Sequence, residues 1–160
     1  MNIVYRRSSP EDTPQVREFW REHWGEDLIV AHGEIYYPEG MEGIIALEEG
    51  QRVGLATYVV RENGCEIVSL DSLREGHGIG GRLIDEVAAA ARRAGCGRIF
   101  LTTTNDNLHA LGFYQKRGFV LITLRPGALD TSRRIKPSIP LIGMHGIPLR
   151  DELDLEMKLS

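Results

Sequence analysis

Ile67-Val68-Ser69-Leu70-Asp71-Ser72-Leu73-Arg74-Glu75-Gly76-His77-Gly78-Ile79-Gly80-Gly81 is the stretch that decides the reading of this chain. An apolar run gives way to glycines at 76, 78, 80 and 81, and an amphipathic pattern follows. Glycines there strip side chains from the point where a strand turns into a helix. Four backbone N–H groups at a helix start lack helical partners and sit at the positive end of the dipole, so such a turn can hold an anion. The same glycines also suit a plain tight turn. A phosphate-bearing ligand is the reading that gives them a function.

Outward from this turn the pattern is regular. Gly80, Leu83, Ile84, Val87, Ala88 and Ala91 recur at helical spacing, and Arg92-Arg93-Ala94-Gly95 supplies cations and a glycine to stop the helix. Ile99 to Thr103 reads as a buried strand. Asn105-Asp106-Asn107 can cap a second helix running to about Arg117, and Phe119 to Leu124 reads as a strand. Upstream, residues 2–7 read as a strand, and Ser9 to Pro14 opens a helix carrying Val16, Phe19, Trp20 and Trp24. Gly25 to Gly43 is irregular. Ile44 to Leu47 and Val53 to Val60 form a hairpin across Glu48 to Arg52, and Glu66 to Ser72 is a third strand. Leu153, Leu155, Met157 and Leu159 alternate with Asp154, Glu156 and Lys158, which predicts a final half-exposed strand. Antiparallel strands followed by βαβ units give a mixed α/β (α+β) fold, a mostly antiparallel central sheet with helices on both faces.

At 160 residues the chain fits one domain, 1–160, with 42% hydrophobic and 26% charged residues, ordinary values for a globular protein. A net charge of -4 with dispersed Lys and Arg argues against nucleic-acid binding. Cys65 and Cys96 do not make a disulfide framework and read as reduced thiols. No apolar run reaches the roughly 20 residues of a membrane span, and the N-terminal stretch lacks a signal-peptide core. The expected location is cytoplasmic, away from membranes. Five histidines show no close metal spacing, so no metal site is expected.

Two segments together resemble the GNAT superfamily of N-acetyltransferases. The family's acetyl-CoA loop, (Arg/Gln)-x-x-Gly-x-(Gly/Ala), finds its counterpart in Glu75-Gly76-His77-Gly78-Ile79-Gly80. Its later helix, Asn-x-x-Ala-x-x-x-Tyr-x-x-x-Gly-Phe, is matched at every named position by Asn107 to Phe119. The resemblance covers roughly residues 1–125 in element order and is strong over 66–119. Glu75 departs from the family's Arg or Gln and would repel a diphosphate, unless the adjacent Arg74 substitutes or the Glu75 side chain turns to solvent. Spacing and the upstream hairpin argue against a dinucleotide-binding Rossmann unit.

The resemblance implies an acetyl-CoA-dependent N-acetyltransferase acting by direct transfer on an amine of a small molecule or an exposed protein amine. The runner-up is a non-catalytic acyl-CoA sensor or interaction module. Coenzyme binding falls to Glu75, Gly76, His77, Gly78, Ile79 and Gly80, to the backbone at Leu70, Asp71 and Ser72, and to Asn107 and Tyr114. Tyr114 is the candidate general acid, since a phenol near pKa 10 is protonated at neutral pH; the plain alternative is packing beside Phe113. Asp71 and Glu66 are alternative bases, each otherwise a strand carboxylate. Trp24, Glu26, Tyr36 and Tyr37 are acceptor-site candidates. The connection from Arg125 to Arg150 is long, carries four prolines and reads as ordered. It is either a lid offering Arg133, Lys136 and His145 to an acidic acceptor, or a structural flap or homodimer contact, with a helical turn at Asp130 to Lys136.

Overall fold

Two apolar runs rich in β-branched and aromatic residues make the longest strands, Gln51–Arg61 (β5) and Gly64–Ser72 (β6), and each is buried along most of its length. The structure, a computed structural model describing residues 2–160, divides into two compact units. The first comprises residues 2–28, Tyr37–Ile99 and Lys158–Ser160; the second comprises Ile29–Tyr36 and Phe100–Met157.

In the first unit Ile3–Arg7 (β1) and Glu42–Glu48 (β4) join β5 and β6 in the antiparallel order β1-β4-β5-β6. Glu49 and Gly50 alone close the β4–β5 turn, both with positive φ, so the turn is tighter than the sequence suggests. Thr13–Trp24 (α1) ends at Gly25 and buries Val16, Phe19 and Trp20. Ile79–Arg93 (α2) packs on β4, β5 and β6. Its buried stripe is Ile79, Gly81, Leu83, Ile84, Val87, Ala88, Ala90 and Ala91. The predicted stripe is thus shifted in the first turn, where Ile79 and Gly81 face inward and Gly80 is only half-buried.

Gly54 on β5 explains the close seating of α2. A Cβ there would lie 2.7 Å from Ile79 Cγ2, 3.2 Å from Leu83 Cδ1 and 3.2 Å from the Asp71 carbonyl oxygen. Strand residues alternate faces, so Leu55 and its partner Asp71 point away from α2. The indole of Trp24 reaches Asp71 from α1, so helices cover both faces of this sheet.

In the second unit Arg98–Thr104 (β7, entering from the first unit), Glu152–Lys158 (β9) and Val120–Arg125 (β8) lie in the order β7-β9-β8. Leu108–Lys116 (α3) is capped by Asn107, whose side chain accepts the Ala110 N–H at 3.2 Å. The irregular region hides a small hairpin, Ile29–Ala31 (β2) and Glu34–Tyr36 (β3), turning on His32 and Gly33 at φ 41° and 81°. The final strand departs from simple alternation. Glu152 is buried and Asp154 half-buried because both accept from the Arg125 guanidinium, at 3.1 Å and 2.6 Å. Its polar face is therefore an internal ion-pair network.

The 125–150 connection is ordered by its own contacts. Ala128–Ile135 (α4) is longer than the predicted turn and packs on β2. Asn105 accepts the Arg150 and Asp151 N–H groups, each at 3.0 Å, and donates to the Pro148 carbonyl at 2.9 Å. Asp106 accepts from Thr104 at 2.5 Å and from the Met144 N–H at 2.9 Å. Asn107 alone does the capping. Arg133 donates to the Pro140 and Leu149 carbonyls, and Lys136 is buried. Neither therefore offers an open cation to an acidic acceptor, which corrects the expectation for these two residues, while His145 is exposed.

Gly54→Val is expected to push the first turn of α2 off β5, lowering unfolding free energy by about 1–3 kcal/mol in urea titration. Gly143→Ala would set a Cβ 2.1 Å from Asp106 Oδ2. We expect faster proteolytic nicking within 137–149 in that variant, with the remaining chain protected as in wild type.

Candidate functional site

The glycine turn is open as the sequence implies. Gly76 and Gly78 take φ of 78° and 70°, and Gly78 is the N-cap of α2, so the chain enters the helix without a capping side chain. The first helical bond runs from the Arg82 N–H to the Gly78 carbonyl at 3.0 Å. Among the described residues, no backbone N–H from Gly76 to Gly81 donates to a protein carbonyl. These donors lie at the positive end of a 15-residue helix, a position at which backbone N–H groups and the dipole favour an anion. Ile79 is buried as the anchor of the turn, whereas Glu75, Gly76, His77 and Gly78 are exposed. Arg74 pairs with Glu48, so its charge is committed elsewhere and it does not stand in for the missing basic residue at Glu75.

β6 leads into this turn. Leu70, Asp71 and Ser72 pair regularly with Ala56, Leu55 and Gly54. The irregularity lies earlier. Thr57 faces Ser69 but Tyr58 faces Ile67, which leaves Val68 without an opposite residue. Such a bulge bends a strand and frees backbone groups from the ladder. The Thr57 and Ser69 hydroxyls meet beside it at 2.6 Å. A bulge has no signature in a single sequence.

The two candidate bases have unlike surroundings. Glu66 is 2% exposed and accepts from Arg61 Nε at 3.2 Å, a structural ion pair. Asp71 stands at the end of β6 next to the turn and accepts the Trp24 indole N–H at 3.2 Å. Burial pushes the Asp71 carboxyl above the usual carboxylate range; the Trp24 hydrogen bond and the nearby His23 pull it back in part. A carboxylate tuned upward beside an anion cradle has the attributes of a general base.

Tyr114 and Asn107 belong to the second unit. Tyr114 is 8% exposed and packs edge-on against Phe113 and Phe119, each at a centroid distance of 5.3 Å. Asn107 uses its carbonyl oxygen to cap α3. Among the acceptor candidates, Trp24 joins Asp71, Tyr37 is exposed, and Tyr36 is buried with its hydroxyl 3.1 Å from His32 Nε2. Among the described residues, no cluster of three or more His, Cys, Asp or Glu side chains is arranged to hold a metal, and no helix is long and apolar enough to cross a membrane.

A family model described as acetyltransferase (GNAT) family matches residues 5–119. The chain is 44% identical over 161 residues to the uncharacterized protein YxbD of Bacillus subtilis, with 100% of both chains covered. In three dimensions it is similar to an IAA acetyltransferase from Bacillus cereus, with a TM-score of 0.71, 21% identity, and 99% of this chain and 100% of that one covered. A GNAT family acetyltransferase from Elizabethkingia anophelis with acetyl-CoA bound gives a TM-score of 0.71 at 19% identity, with 99% of each chain covered. At these identities the structural likeness concerns the fold.

The raised Asp71 carboxyl has a consequence for stability. Its protonated form is favoured by folding, so that contribution is complete below the unfolded value near 3.9 and is lost as pH rises through the folded value. Asp71→Asn is therefore expected to raise the thermal midpoint at about pH 8, with the advantage shrinking as pH falls and gone below about 3.9. Differential scanning calorimetry across pH checks this.

Proposed function

The chain belongs to the GNAT acetyltransferase family, and from that premise we propose that it is an acetyl-CoA-dependent N-acetyltransferase. Its acceptor is an amine of a small molecule or an exposed protein amine, acetylated directly in a ternary complex. The observation that carries this reading is the set of unengaged amides at Gly76 to Gly81, placed at the end of the strand that bears Asp71. The acetyl-CoA held by the Elizabethkingia anophelis relative supports the choice of co-substrate.

In this reading the amides and the dipole of α2 hold the diphosphate. Backbone groups of β6 polarise the thioester carbonyl, an electrostatic contribution that is commonly the largest in acyl transfer. Asp71 removes a proton from the amine and Glu66 keeps its structural pair. Tyr114 supplies a proton to the departing thiolate. The protein thus provides orientation, charge stabilisation and two proton transfers.

The acyl-CoA sensor is favoured by one observation: Glu75 brings negative charge to the turn while Arg74 is held by Glu48. It predicts coenzyme binding without turnover. Acetyl-CoA should raise the thermal midpoint of the protein, and a thiol-release assay over a broad amine panel should show turnover. Tyr114→Phe should lower kcat by about 100-fold or more while coenzyme affinity stays within about twofold. A thermal shift with no turnover on any amine would favour the sensor; no thermal shift would end both readings.

A further inference from the structure

Cys65 and Cys96 take no part in the chemistry above, yet the first unit brings them to one place. Gly54 faces α2, and strand alternation puts Val60 of β5 on the same side. Cys65 pairs with Val60, so it stands on the sheet face that α2 covers, and it is fully buried. Cys96 comes just after the end of α2, where its N–H donates to the Ala91 carbonyl at 2.9 Å. The two stretches touch at neighbouring positions. A Cβ on Gly64 would lie 3.0 Å from the Arg98 carbonyl oxygen, and Arg98 Nε donates to the Asn63 carbonyl at 2.7 Å.

The two thiols differ in access. Cys96 is half-buried and lines a cavity of about 480 Å³ between the β5–β6 turn and the α2–β7 connection. Cys65 does not line it. Burial pushes the Cys65 thiol up to about 12, and charge on Cys96 and Glu66 pushes it the same way, so the two sulfurs act on each other. One thiol can thus meet a dissolved reagent, and the other is held protonated near it. Gly95 and Gly97 flank Cys96 with open space where a Cβ would stand, so this connection can adjust to the span that a disulfide requires.

We propose that Cys65 and Cys96 are a redox dithiol, which a low-molecular-weight disulfide closes into an intramolecular bond, Cys96 attacking first and Cys65 resolving. The Cys96 thiolate attacks one sulfur of the small disulfide; a mixed disulfide forms at Cys96 and the first small thiolate leaves. Cys65 then loses its proton, attacks the Cys96 sulfur and expels the second small thiolate. Two protein thiols are oxidised, the small disulfide is reduced to two thiols, and the two protein protons end on them. The Cys65 step is the slower, because little of that thiol is ionised near neutral pH. The bond ties the start of β6 to the end of α2. The helix, at 15 residues, puts this place roughly 22 Å from the glycine turn, and the dithiol stands independently of the transferase reading.

The test uses the full reduced chain with glutathione disulfide as the probe. Samples are quenched in acid over time and read by intact mass and by peptide mapping. Wild type should pass through a glutathione adduct on Cys96 to a chain lacking two hydrogens, with the Cys65 and Cys96 peptides joined and separated again by dithiothreitol. Cys65→Ala should stop at the Cys96 adduct. Cys96→Ser should consume the probe at least about 100-fold more slowly, since the remaining thiol is buried. Calorimetric midpoints near wild type establish that the variants are folded; if one does not fold, the wild-type peptide map alone decides. Both thiols retained, a Cys96 adduct that persists in wild type, a bond joining two chains, or Cys96→Ser reacting at the wild-type rate overturns the proposal.

Discussion

The close approach of α2 to β5 at Gly54 is the constraint on which the first unit depends. Ile79 and Leu83 occupy the space that any Cβ at position 54 would fill. That contact fixes the first turn of α2 against the sheet, directly after the strand that carries Asp71. The helix start is held in place, and the amides of the glycine turn before it are not engaged by backbone carbonyls. The dipole of α2 adds to them, and its last turn carries Arg92 and Arg93 at the complementary end. One steric fit thus supplies both the packing of the helix and the organisation of its terminus.

The second unit is organised by polar contacts. Arg125 gathers Glu152, Asp154 and Thr102, and Glu152 also accepts the His32 N–H at 3.0 Å, which ties the β2–β3 hairpin to the final strand. The burial of Asp154 raises its pKa, but the Arg125 and Thr102 hydrogen bonds outweigh that and hold the carboxyl below its ordinary range. Asn105 and Asp106 do the corresponding work for the long connection by satisfying backbone donors at Met144, Arg150 and Asp151. A loop of that length stays ordered because its polar backbone groups find partners within the fold. Arg125 and Arg133 bond within the fold and Lys136 is buried, whereas Arg134, His145 and Arg150 are exposed.

Asp71 shows how burial acts on a strand carboxylate. A carboxylate withdrawn from water is destabilising when ionised, and the same withdrawal raises its basicity toward the range useful for proton removal. Trp24 moderates both effects with a single hydrogen bond. Glu66, on the same strand, is more deeply buried and forms an ion pair with Arg61. Burial alone does not separate the two carboxylates; the partner of each does.

Residues 66–119 made the fold legible because local rules act there. Glycines that permit positive φ, a helical stripe from Leu83 to Ala91 and the Asn107 cap are decided by neighbours a few residues away. The β2–β3 hairpin is not legible in the sequence because it rests on three-residue strands and a His32-Gly33 turn, too short for periodicity to register. The bulge at Val68, the pairing of Arg74 with Glu48, the internal use of Arg133 and Lys136, and the Trp24–Asp71 bond all join positions that sequence spacing cannot relate. The sequence by itself determined the strand–turn–helix, the glycines at its turn and the family. Only the tertiary structure decided which carboxylate is tuned and which is paired, because desolvation and partner charge depend on what the folded chain brings within a few ångströms of each group.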